Sequence, residues 1–192
     1  TFYRVGRYRD AMRSNVNAVA LDQRYDEVAR PPGGVSGMPL HAHNIHFGMG
    51  GALMAGGAED GLMLADRFMA TYPLAGMTAP WRQAMTNNAY ALYGRFGSPE
   101  KVAALVEPDE SQPMLRVSYH YARGEAAARA GDVAAIRAEV EAIKALRAPP
   151  AFTTGQFAEF SRDFTEVSQR ILEGRAAMLA GDADAAIAAF GR

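Results

Sequence analysis

The chain has 192 residues, 49% of them apolar and 21% charged, with a formal net charge of −1 and no cysteine. That length suits one ordinary domain or about five stacked helical pairs, and the apolar fraction argues against disorder. The near-neutral balance lacks the basic surplus by which a general nucleic-acid binder displaces counterions, and the absence of cysteine excludes disulfides, thiolate zinc sites and a cysteine nucleophile.

No apolar run approaches the roughly 20 residues that span a bilayer, and the start carries no signal-peptide pattern. Neither nucleic-acid binding nor membrane insertion is expected. The chain opens on Thr1-Phe-Tyr and closes on Gly191-Arg192 inside a helical pattern. We read it as an excised piece of a longer protein, which leaves the compartment unknown.

Apolar residues recur with helical period throughout, and no alternating β-branched run bounded by turns appears, so the chain is expected to be all-α. A first helix is predicted over about 7–22, with Ala11, Asn15, Ala18 and Leu21 on one face. Arg30-Pro-Pro-Gly-Gly-Val-Ser-Gly37 then makes a breaker-rich loop. The next helix, about 40–55, carries Gly48, Gly50, Gly51 and Ala52, small residues that let a neighbour approach closely. Each such glycine costs about 1 kcal/mol of helix propensity, which tight packing must offset.

A partner helix over 59–71 ends at Tyr72-Pro73, and Pro80 opens another, roughly 80–96. A short helix with Pro99 in its first turn runs to about Val106, followed by the acidic loop from Glu107 to Pro113. The pair 114–130 and 133–147 follows, closed by the break at Ala148-Pro-Pro150. Along the next long helix, Phe157, Phe160, Phe164, Val167, Ile171 and Met178 form a stripe that reads as a core seam against the preceding pair. Residues 183–190 begin a last helix.

Glycine turns punctuate this array at Gly6, Gly56, Gly97, Gly131 and Gly181, at intervals of 50, 41, 34 and 50 residues. Gly124 precedes Gly131 by seven residues and Gly174 precedes Gly181 by seven, which suggests a glycine at the point where the two helices of each pair touch. Ala122-Arg-Gly-Glu-Ala-Ala-Ala-Arg-Ala-Gly-Asp-Val-Ala-Ala-Ile136 and Glu173-Gly-Arg-Ala-Ala-Met-Leu-Ala-Gly-Asp-Ala-Asp-Ala-Ala-Ile187 resemble the tetratricopeptide repeat family, whose period is 34 residues. Phe2 to Val16, His43-Asn-Ile-His-Phe47 and Tyr119-His-Tyr-Ala-Arg-Gly124 extend the likeness to large bacterial members of that family, a likeness that implies little about activity.

The resemblance implies an α-α superhelix of antiparallel helix pairs over residues 1–192, a single repeat domain in which first helices line a concave groove. The aromatic expected early in the first helix is replaced by His120 and Arg170, and the long intervals depart from the standard pitch. Where family members clamp a peptide carboxylate with Lys, Asn and Arg, the groove candidates here are His43, His46, Asn87, Tyr121, Glu125 and Arg175. They do not reproduce that pattern, and the clamp activity is not carried over.

His41, His43 and His46 are the one clustered set of metal-capable side chains, with His43 and His46 on one helical face. Hydrogen bonding across the groove or helix capping is the competing reading. Asn44, Asn87 and Asn88 suit either a bound peptide backbone or bridges between helices, and Tyr90, Tyr93, Tyr119 and Tyr121 either a groove surface or core packing.

Gly48-Met-Gly50-Gly51 is no phosphate loop, since it lies within a helix and lacks the following Lys-Ser/Thr. No Gly-x-Ser-x-Gly elbow occurs. The expectation is a non-catalytic protein-interaction scaffold without a cofactor, binding a peptide or partner domain in its groove and able to self-associate through its ends. A metal-binding protein built on His41, His43 and His46 is the alternative, and an enzyme completed by residues outside this piece is a third.

Overall fold

A computed structural model describes residues 2–75, 77, 80–147 and 158–191. Among the described residues there are nine α-helices and no strand. They are α1 (Tyr8–Ala29), α2 (His41–Ala55), α3 (Ala58–Thr71), α4 (Pro80–Phe96), α5 (Pro99–Ala103), α6 (Pro113–Ala130), α7 (Val133–Ala145), α8 (Ala158–Leu179) and α9 (Ala183–Phe190). Packing divides the chain into two compact units, Thr1–Gly76 and Met77–Arg192.

In the first unit α1 packs on α2 and α2 on α3. Helix α1 runs a full two turns past its expected end, because no breaker intervenes before Pro31, and it closes with Arg30 at φ 47°. Leu21, expected on the inner face, is exposed, whereas Met12 and Val19 are buried. The glycines of α2 do bring a neighbour close: a Cβ on Gly51 would stand 2.8 Å from the Met12 backbone nitrogen. Ile45, Met49, Leu64 and Phe68 complete the core of this unit.

In the second unit α6 packs on α4, α7 and α8, while α8 also packs on α7 and α9. Residue pairings show that α4, α6 and α8 run parallel, with α7 antiparallel to them, and the contact of Phe190 with Gly174 folds α9 back antiparallel on α8. Asp132 and Asp182 each accept the backbone N–H three residues on, at 2.9 Å, capping α7 and α9 at equivalent places. Met114, Val117, Ile136, Val140, Ile143, Leu172 and Ala176 form one core, against which Tyr121 and Phe164 pack.

The apolar stripe of α8 is not the seam expected. Phe160, Val167 and Met178 are exposed, Ile171 is half-buried, and only Phe164 joins the core; Phe157 and the Ala148-Pro-Pro150 break lie outside the described residues. The buried face is instead Ala158, Ser161, Thr165, Ser168, Gln169, Leu172 and Ala176. Close helix packing selects small side chains, and their hydroxyls stay satisfied by donating one turn back, Thr165 to the Ser161 carbonyl at 2.7 Å and Ser168 to that of Phe164 at 2.8 Å.

The two glycines assigned to pair contacts also differ from one another. Gly174 does face its own partner helix, where Phe190 of α9 fills the space a Cβ would need. At Gly124 the nearest atoms belong to Leu172 of α8, not to α7 as expected.

Candidate interaction cleft

Two close approaches place the three parallel helices of the second unit. A Cβ on Gly94 would lie 2.7 Å from the Cα of Ala122, so the end of α4 lies backbone to backbone on α6. Two turns further along α6, Arg129 donates its Nε to the Gly94 carbonyl at 3.0 Å and its Nη2 to the Gly97 carbonyl at 2.6 Å. These bonds satisfy acceptors at the end of α4 that have no intrahelical donor, and they put a cation where the helix dipole favours one. On the other flank, Gly124 admits Leu172 and sets α8 against α6.

The resulting cleft, about 250 Å³, is lined by Arg95 from α4, by Glu125, Ala128 and Arg129 from α6, and by Arg175, Met178 and Leu179 from α8. Glu125 is 5% exposed. A carboxylate so buried is costly unless paired, and Arg175 supplies the pair with two bonds, Nε to Oε1 at 3.1 Å and Nη2 to Oε2 at 3.2 Å.

One turn earlier on α6, burial pushes the Tyr121 hydroxyl well above the ordinary tyrosine range. The charge of Glu125 adds to this, and Arg175 and Arg95 partly oppose it. Tyr121 therefore presents a neutral phenol beside the ion pair. Around the cleft itself, three guanidinium groups face one carboxylate.

Three residues singled out in the sequence, Tyr121, Glu125 and Arg175, are thus brought together. Asn87 plays the bridging role: it is buried, and its Oδ1 accepts from Ser118 Oγ, linking α4 to α6. Tyr90, Tyr93 and Tyr119 are buried, leaving Tyr121 as the half-buried member of that set. Sequence reasoning missed Arg95, Arg129, Met178 and Leu179. Arg129 lies four residues after Glu125 and Met178 three after Arg175, so helical spacing counted from the residues already named points to both.

The histidines belong to the first unit and diverge. His41 is 1% exposed and donates its Nδ1 proton to Asp22 Oδ2 on α1 at 2.9 Å, with Asn44 on the same carboxylate oxygen at 3.4 Å. His43 is exposed and lies on the Phe47 ring at a centroid distance of 4.5 Å, and His46 meets that ring edge-on at 5.6 Å. Among the described residues no group of three His, Cys, Asp or Glu side chains is placed to hold one metal ion.

His120 belongs to the second unit, where its Nδ1 donates to Glu139 Oε2 at 2.7 Å while Arg123 donates to Oε1 at 2.6 Å. Burial alone would raise the Glu139 carboxyl, but these two hydrogen bonds and charges outweigh it and hold the group below its usual range.

No helix among the described residues is long and apolar enough to cross a membrane. No protein-family model, curated protein or solved structure matches the chain.

Proposed function

We propose that the chain is a tetratricopeptide-like scaffold that binds an extended peptide, or an exposed segment of a partner domain, across α4, α6 and α8 without catalysing a reaction. The observation that carries this reading is the cleft to which all three parallel helices contribute, with charged groups beside exposed apolar Met178 and Leu179. Such a mixture suits a peptide: guanidinium groups fix its polar atoms, the apolar pair contributes area, and Tyr121 stands beside the ion pair. The order of packing supports the array, since α6 rests on α4 and α8 rests on α6, and α8 follows the shorter antiparallel α7.

The test is selection of peptides from a displayed random library on the immobilised protein, followed by affinity measurement with labelled peptides. Tyr121→Ala and Arg175→Ala are each expected to weaken binding about tenfold, equivalent to about 1.4 kcal/mol, whereas Arg137→Ala on α7 leaves it unchanged. Selected peptides whose affinity ignores Tyr121 and Arg175 would overturn the assignment.

A further inference from the structure

We propose that the cleft bounded by Arg95, Arg129 and Arg175 seats a phosphorylated serine or threonine of the bound peptide, with an apolar neighbour of that residue resting on Met178 and Leu179. This inference rests on the peptide-binding reading above and adds the chemistry of the ligand.

Arg129 carries the argument furthest. Both of its hydrogen bonds go to neutral backbone carbonyls, and no carboxylate among the described residues stands within ion-pair distance of it. Two of the five N–H groups of a guanidinium are used in this way, so the cation is fixed in position with donors and charge left for an incoming anion. Arg175 is held in a similar manner. Its Glu125 partner is almost wholly buried, whereas the Arg175 side chain is 47% exposed, so the cleft is met chiefly by the guanidinium.

Charge and size select the anion. Arg175 and Glu125 offset one another while Arg129 is held only by neutral carbonyls, so the lining is net positive, and a phosphomonoester, which carries about −1.5 to −2 at neutral pH, is a closer match than a single carboxylate. Phosphate oxygens also accept parallel N–H bonds from arginine, the strong charge-assisted geometry. A cleft of about 250 Å³ falls below the 300–1,000 Å³ typical of sites that enclose whole small molecules, and suits one side chain of a longer ligand.

The test uses a peptide array on the intact chain in which each sequence appears with a central serine, phosphoserine or glutamate, read by binding of labelled protein and confirmed by anisotropy. Phosphoserine peptides with a leucine or methionine beside the phosphate are expected to bind at least about tenfold tighter than their serine and glutamate counterparts. That advantage falls as salt is raised. Arg129→Gln and Arg175→Gln are expected to abolish the phosphate-dependent gain.

Glu125→Gln removes the opposing charge and is expected to tighten phosphopeptide binding, a change of sign that loss of folding cannot produce. Equal binding of serine and phosphoserine peptides overturns the phosphate seat and leaves the peptide reading standing. Equal binding of glutamate and phosphoserine peptides does the same. Failure of every array peptide to bind overturns both.

Discussion

Arg175 on α8 holds Glu125 on α6 through two separate hydrogen bonds, at 3.1 and 3.2 Å, across 50 residues of sequence. One end of the pair is exposed and the other is 5% exposed, so its two members are unequal in cost of removal. Arg175→Ala strands a buried carboxylate and is expected to destabilise the fold by about 1–3 kcal/mol. Combining it with Glu125→Gln removes the stranded charge and should recover part of that loss. Urea denaturation at constant m value checks both, and a double variant no more stable than Arg175→Ala would show that the pair is not what joins α6 to α8.

The glycines rank by what a methyl group would meet. At Gly94 and Gly51 the obstacle is backbone, Ala122 at 2.7 Å and Met12 at 2.8 Å, which cannot step aside without moving a helix. At Gly174 it is the ring of half-exposed Phe190, which can swing outward. Gly94→Ala and Gly51→Ala are expected to cost about 1–3 kcal/mol of overpacking, beyond the gain of about 1 kcal/mol in helix propensity. Gly174→Ala should be nearly neutral in thermal unfolding.

The histidines make a similar contrast. His41 is buried against Asp22, so Asp22→Ala leaves a buried imidazole without its acceptor and is expected to cost about 1–3 kcal/mol. His43 is exposed on the Phe47 ring, and His43→Ala should stay within about 0.5 kcal/mol of the parent. Chemical denaturation of the two variants checks the difference.

Acid should act on the contact between α6 and α7. The Glu139 carboxyl lies below its ordinary 4.5 in the folded chain, so the folded state binds this proton less readily than the unfolded one. The stabilisation is complete above the ordinary value and is lost as pH falls through the lower folded value. Glu139→Gln removes this contribution, so its stability curve should fall less steeply than the parent's on acidification below 4.5. Parallel curves would contradict the assignment.

Much of the helical order was legible because its marks are local. Pro80 and Pro99 sit in first turns, and Gly131 and Gly181 adopt the left-handed conformation; Pro113, read as the end of the acidic loop, in fact opens α6. Which face of a helix is buried was less legible, and α8 shows why. Hydropathy points to Phe160, Val167 and Met178, yet helices that approach closely bury serine, threonine and alanine and satisfy the hydroxyls internally.

At the cleft, Glu125 and Arg175, with Tyr121 beside them, were readable as polar residues on α6 and α8. The part played by Arg129 depends on the end of α4 lying over α6, a contact 32 to 35 residues away in sequence that no local pattern encodes.

Hydrogen exchange of the intact chain, with and without a library-selected peptide, tests the central claim most directly because it reports on every helix at once. Binding across α4, α6 and α8 should slow exchange near Arg95, around Tyr121 to Ala130 and around Arg175 to Leu179, leaving α7 and α2 unchanged. Protection confined to α7, or to α2 around His43 and His46, would contradict it.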